Sequence, residues 1–384
     1  MQIDRRRFMI RQLPKPRRER SIYVFFLYLL SSIYASLIRG RCQLYRWGIL
    51  PTKKLPIKVV CVGNMTLGGT GKTPTVEYVA RTLKSAGIRV AVLSRGYKGK
   101  HEKGLAVVSD GEAILLSQEE SGDEPYLLAH RLEGIPILVG RNRYNSGKMA
   151  CQRFGIQVAV LDDGYQHIQL SRDMNILLVD GSEGFGNGHL FPLGPLREPL
   201  AGLTRADHFL ITQAEKQERV QAIQETLTRW NAAAGISHGR YLPEHLFDPK
   251  TGERNRPDDL TGKKILAFAG LAKPDYFFEL LESLGASVVR HLAFPDHYPY
   301  AQRDLEAIRK EMCGAEWTVT TEKDMVRLEG LDLEGLDIKV LEVRMEIFEE
   351  ETFKEALFTG LAREKVLNRA KIQHNRENVS CQNG

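Results

Sequence analysis

Short apolar, β-branched runs alternate along this chain with stretches whose apolar residues recur every three or four positions. The runs at 57–62, 89–94, 135–139, 156–161, 175–179 and 207–211 predict buried strands, and the periodic stretches at 73–86, 123–132, 142–154 and 215–231 predict helices. Such alternation predicts a doubly wound α/β sheet. From about 234 to 262 the text turns polar and rich in Gly, Pro and Asp, which predicts a hinge. A second set follows, with strands at 264–269, 286–292, 317–321 and 338–343 and helices near 274–284, 300–312 and 350–363. The expected organisation is an N-terminal arm and helix at 1–50, a first α/β domain at 51–235, a smaller α/β domain with the hinge at 236–364, and a polar, disordered tail at 365–384.

One run breaks the alternation. Ile22 to Ile38 holds seventeen residues without a charge. As a helix it would span about 26 Å, slightly short of a hydrocarbon core of roughly 30 Å. A signal peptide, a membrane anchor and an ordinary core helix all compete for it. Its aromatics (Tyr23, Phe25, Phe26, Tyr28, Tyr34), with basic residues on both flanks, favour a helix attached at a membrane surface.

Charge sharpens that reading. The 384-residue chain carries a formal +6, and residues 1–20 hold eight Lys/Arg against Asp4 and Glu19. The body is therefore neutral, which argues against a nucleic-acid partner, while the cationic arm suits anionic lipid. Five scattered cysteines without a C-x-x-C pair argue against a disulfide framework and a structural zinc site, and fit a reducing compartment.

The strongest chemical signal follows the first strand. Gly63 leads through Asn64, Met65, Thr66, Leu67, Gly68, Gly69, Thr70 and Gly71 to Lys72-Thr73-Pro74, and then to a helix with Val76, Val79, Ala80 and Leu83 on one face. Strand, glycine-rich loop and helix make the context of a phosphate-binding loop, whose backbone N–H groups converge on phosphate oxygens. The consensus has glycine where this chain has Thr66. Lys72 is expected on the β/γ-phosphates, and the Thr73 hydroxyl on Mg²⁺. The strand at 156–161 ends in Asp162-Asp163, placed to organise the metal.

Further motifs make the pattern specific. They are Ser94-Arg95-Gly96-Tyr97, Gly122-Asp123-Glu124-Pro125, Val139-Gly140-Arg141, Asp162 to His167, Gly194 to Pro199, Ala267 to Gly270, Phe294-Pro295-Asp296-His297 and Thr320 to Asp324. In this order, over roughly residues 45 to 330, the chain resembles the tetraacyldisaccharide 4′-kinase family, the inner-membrane kinases of lipid A synthesis. The resemblance implies transfer of the ATP γ-phosphoryl to the 4′-hydroxyl of a membrane-embedded tetraacyldisaccharide 1-phosphate, with Mg²⁺, at the cytoplasmic face. It implies Asp123 as the base toward the acceptor hydroxyl, with His297 as its partner. Read alone, Asp123-Glu124-Pro125 is also a good helix start and Asp296-His297 a turn. Arg197 and Glu198, between two prolines, are expected at the nucleotide, with the Arg197 guanidinium on nucleotide phosphate, on the substrate's 1-phosphate or in a structural ion pair. Arg95, Tyr97 and Arg141 follow strand ends, where open α/β sheets bind ligands, and with His167 they are expected on the substrate side. His297 and Asp123 fall in different expected domains, so closure of the cleft would belong to catalysis.

Two rival readings remain at this point. A membrane-associated GTPase would need a guanine-reading N-K-x-D segment, of which Thr212-Gln213-Ala214-Glu215 is a weak echo and Thr321-Glu322-Lys323-Asp324 a misordered one. A P-loop kinase or ligase acting on a soluble metabolite is the other, and the apolar N-terminal run counts against it.

Overall fold

The computed structural model describes residues 17–214, 217–312 and 314–362. The expectations for the basic arm at 1–16 and the tail at 365–384 lie outside the described residues.

Strand β1 (Lys58–Asn64) is buried on both faces from Val59 onward, as a strand covered on both sides must be. Val60 and Val62 pack on one face with Val76, Val79, Ala80 and Leu83 of helix α2 (Lys72–Ser85), the face the periodicity predicts. Val59 and Cys61 pack on the other with Leu161, Tyr165 and Phe209. On either side of β1 run β5 (Val158–Asp162) and β6 (Met174–Asp180), both parallel to it. Beyond β5 lie β2 (Val90–Ser94) and β4 (Ile137–Gly140), again parallel, and beyond β6 lies β7 (His208–Thr212). The edge is an antiparallel strand that the pattern did not predict, β3 (Leu105–Ser109).

The expected hinge contains a strand. β8 (Gly235–Phe247) runs thirteen residues through the polar stretch. Its first residues pair in parallel with β7, and Gly239 to Phe247 pair antiparallel with β13 (Ile338–Ile347). Both halves of the chain thereby join one thirteen-stranded sheet, in which β13 leads on to β12 (Trp317–Thr321), β10 (Lys264–Ala269) and β11 (Ser287–Ala293). Pro243 sits beside a register shift at Glu342/Val343, where a residue without an N–H is tolerated.

Helix α1 (Arg17–Arg46) is longer at both ends than the uncharged run. Ser31 and Ala35 are buried against the body, with Ser31 Oγ donating to Leu190 O at 2.9 Å and Tyr34 Oη to Arg197 O at 2.8 Å. Val24, Phe25, Phe26, Leu29, Leu30, Ile33 and Leu37 are exposed. Among the described residues no helix is long and apolar enough to cross a membrane.

Candidate active site

The site gathers at the carboxyl ends of the parallel strands, where their connections diverge. Gly63 brings the end of β1 against the loop after β5, since a Cβ there would stand 2.8 Å from Tyr165 Cβ. Gly71, with φ 80°, turns the chain into α2 in a left-handed conformation that glycine adopts without strain. The glycine loop is laced to the Gly194–Pro199 loop, with Leu67 N donating to Pro195 O at 2.8 Å and Arg197 N to Met65 O at 2.7 Å. Thr66, Leu67, Gly68, Gly69, Thr70, Gly71, Lys72 and Thr73 thus stand together as expected. The buried Thr70 Oγ1 and Arg197 Nε have no hydrogen-bond partner among the described residues.

A compact set of charges faces this loop. Lys72 Nζ lies 3.3 Å from Asn64 Oδ1 and 3.6 Å from Asp163 Oδ1. Arg197 Nη1 sits on both oxygens of Asp163, at 2.9 and 3.0 Å. Burial works against a charged Asp163, but Lys72 and Arg197 outweigh it and hold the carboxyl down at about 2. Its φ of 49° is left-handed, a conformation Asp tolerates better than most residues and one common at functional sites. Asp162 is fully enclosed and takes a 2.8 Å bond from Ser94 Oγ. Burial, with Glu124 and Asp163 nearby, pushes its carboxyl up to about 6.

The second cluster is built by both halves of the chain. Asp123 opens helix α4 (Asp123–Arg131), which follows a short helix, α3 (Gln118–Ser121). Its Oδ2 stands 2.8 Å from His297 Nδ1 and 2.8 Å from Arg327 Nε, and its Oδ1 accepts from Gln118 Nε2 at 2.6 Å. Burial opposes ionisation here too, yet the bonds from His297 and Gln118 and the Arg327 charge hold Asp123 far below the usual carboxylate range. Glu124 pairs with Lys323 at 3.2 Å. Its carboxylate also feels Lys72 and is felt by Asp162, so the two clusters share one electrostatic neighbourhood. Asp123 and His297 meet, as the motif pattern implied. Arg327, Lys323 and Gln118 were missed. The available signal was the i,i+4 pair of cations in helix α9 (Glu322–Arg327), matching consecutive acids at the start of α4.

The remaining expected residues divide. Tyr97 joins the second cluster, its ring edge-on to His297 at 5.8 Å. Exposed Arg95 is paired with Glu102 at 2.7 Å. Arg141 lines a polar cavity of about 440 Å³ with Lys103, Asn142, Asn145 and Gln169. His167 is half-buried against Gln169, and burial with Arg143, Arg172 and Arg41 nearby drives its imidazole down to about 3, so it is neutral. Glu198, expected with the nucleotide-binding residues, directs its buried carboxylate to Arg205 at 2.6 Å and Gln166 at 2.9 Å. The misordered Thr321–Asp324 segment reads no base: Asp324 is fully buried and accepts from Thr321, Tyr300 and Gly270.

A phosphate-binding loop with a lysine, a buried acid at the end of the neighbouring strand and a separate carboxylate–imidazole pair defines a P-loop phosphotransferase. The sequence model of the tetraacyldisaccharide-1-P 4′-kinases matches residues 23–362. The tetraacyldisaccharide 4′-kinase of Desulfatibacillum aliphaticivorans is 42% identical over 313 residues, 80% of this chain and 84% of the relative. That of Syntrophus aciditrophicus is 41% identical over 329 residues, 83% and 88% of the two chains. The crystal structure of LpxK from Aquifex aeolicus in complex with ATP superposes with a TM-score of 0.71 at 33% identity, covering 88% of this chain and 99% of that one. The chain belongs to the tetraacyldisaccharide-1-P 4′-kinase family, the ATP-dependent kinases of lipid A biosynthesis.

Proposed function

We propose that this chain binds ATP at the Gly63–Thr73 loop and phosphorylates the 4′-hydroxyl of a tetraacyldisaccharide 1-phosphate held at a membrane surface. The observation that carries the reading is the convergence of Lys72, Asp162 and the Asp123–His297 pair at one end of the sheet. The acceptor oxygen attacks the γ-phosphorus as the bond to the β,γ-bridging oxygen breaks; its proton passes to the Asp123–His297 pair, and ADP leaves. Lys72 neutralises the charge on the transferred group, and Arg197 holds Asp163 while presenting its remaining N–H groups toward phosphate.

Magnesium fits the donor set. Thr73 and Asp162 would hold it, and the fit rests on Asp162, an enclosed carboxylate whose pKa burial and two neighbouring acids raise to about 6, so that a cation would be welcome beside it. The chemistry it would supply when bound is positive charge against the phosphate oxygens. Asp163 is already engaged by Arg197 and Lys72, which favours Asp162 as the direct ligand. On the acceptor side Tyr97 borders the pair, Arg95 and Arg141 supply cations, and neutral His167 offers a hydrogen bond to sugar.

The membrane reading rests on α1. Its inner face is bonded to the loop that carries Arg197, while seven large apolar residues between Val24 and Leu37 face outward. A helix of this kind lies in the interface rather than across it, and would set the strand ends against the cytoplasmic leaflet of the inner membrane. The test is γ-labelled ATP with purified tetraacyldisaccharide 1-phosphate in vesicles. Label must appear in a 1,4′-bisphosphate, and transfer to soluble glucosamine derivatives at a comparable rate would defeat the reading.

A further inference from the structure

Asp123 is surrounded by more donors than a proton acceptor needs. Of these, Arg327 is the most firmly anchored. Its side chain is only 4% exposed. Nη1 donates to Gly270 O at 2.8 Å and lies 3.0 Å from Asp324 Oδ1. Asp324 is itself fixed by Gly270 N at 3.0 Å, Tyr300 Oη at 3.0 Å and Thr321 Oγ1 at 2.7 Å. From that mount, Nε reaches Asp123 Oδ2, the same oxygen that faces His297 Nδ1, and Nη2 comes within 3.4 Å of that nitrogen. A guanidinium donates in a fixed plane, so this arrangement sets both the position and the rotation of the carboxylate.

We propose that Arg327 is a positioning residue of the second half of the chain, holding Asp123 ionised and aimed at His297 when the two halves are together. An ionised carboxylate only accepts, so His297 Nδ1 must donate to it, which fixes the rotation of the ring. The other groups near Asp123 do not replace Arg327. Gln118 from α3 is neutral, while Glu124 and Asp296 are acidic, and Lys323 is taken by Glu124. With Arg327 gone, its charge and its bond no longer oppose burial, so the Asp123 carboxyl rises, and the carboxylate loses the donor that fixes its rotation.

This inference rests on the reading of Asp123 and His297 as the pair serving the acceptor hydroxyl. The experiment compares Arg327→Lys, Arg327→Ala and Asp123→Ala as full chains on lipid vesicles, with melting curves beside the kinetics. Arg327→Lys should lower kcat by about ten- to a hundredfold and leave the KM for ATP within about threefold. Millimolar guanidinium should restore part of the turnover of Arg327→Ala, and methylammonium should not. Should Arg327→Ala fail to fold, Arg327→Lys carries the test alone. A KM for ATP that rises as far as kcat falls, or a kcat that falls only as far as the melting temperature accounts for, overturns the role of Arg327. If Asp123→Ala itself turns over normally, the pair is not catalytic, and the reading beneath the inference fails with it.

Discussion

The proposed nucleotide side and the proposed acceptor side of this site are built differently. The first draws Gly63–Thr73, Asp162, Asp163 and Arg197 from one half of the sheet, in loops laced to one another by backbone bonds. The second takes Asp123, Glu124 and Gln118 from that half and His297, Lys323 and Arg327 from the other. On the proposed reading, ATP binding draws on one half alone, whereas proton removal from the acceptor draws on both.

Removing the nucleotide-side charge should have the largest effect. Lys72→Ala should lower kcat/KM by about a thousandfold or more with little change in melting temperature, because a loop lysine contributes charge rather than packing. Near-normal transfer by the folded variant would contradict the placing of phosphate at this loop.

Breaking the acceptor side should be nearly as severe but different in kind. Asp123→Ala should reduce kcat by about 10²- to 10⁴-fold with ATP affinity retained, and His297→Ala should do the same to a lesser degree. Because one carboxylate oxygen and one ring nitrogen meet at 2.8 Å, the double variant should be little worse than Asp123→Ala. Losses that multiply independently would mean that the two residues do not act as a unit.

These contrasts also explain what the sequence made legible. Contiguous motifs on the nucleotide side read directly, because a loop between a strand and a helix places its own residues. The central strands read well because burial on both faces demands unbroken apolar runs. β8 did not, since Gly239 and Pro243 interrupt it and much of its stability comes from β13, over a hundred residues later in the chain. Edge strand β3 is short, with its first residues half-buried, and sends a weak signal. Arg327 was missed because its meaning lies in Asp123, 204 residues away in sequence. The buried pairing of Glu198 with Arg205 is likewise tertiary.

A smaller effect should separate the membrane role of α1 from its bond to the site. Deleting residues 1–40 should release the protein from vesicles and depress activity on bilayer substrate. Tyr34→Phe keeps the exposed apolar face and removes only the 2.8 Å bond to Arg197 O. It should leave vesicle binding intact and cost about two- to tenfold in turnover, the worth of one hydrogen bond to a loop. Full retention of the truncated chain on vesicles in high salt would assign the anchor to another surface.

A last effect, on stability rather than turnover, tests how α4 ties the halves together at its far end. There Arg131 lies within 3.2 Å of Glu77 and Glu244, 3.4 Å of Glu322 and 3.8 Å of Glu342, and Nη2 donates to Val343 O at 2.7 Å. One guanidinium cannot satisfy four carboxylates. Burial, with Glu342 and Glu77 nearby, outweighs Arg131 and lifts the Glu322 carboxyl to about 7, from an ordinary value of 4.5. A carboxyl raised in the folded state binds more protons there than in the unfolded chain between those values. Its stabilising contribution is complete below the lower pH and is lost as pH rises through the higher one. Glu322→Gln keeps a neutral group in place, so its unfolding free energy should fall less than the wild type's between pH 4.5 and 7.5, by up to about 3 kcal/mol. Urea unfolding across that range reads the difference. Parallel pH profiles for the two proteins would show that Glu322 is charged throughout and that the joint at this end of α4 is an ordinary ion-pair network.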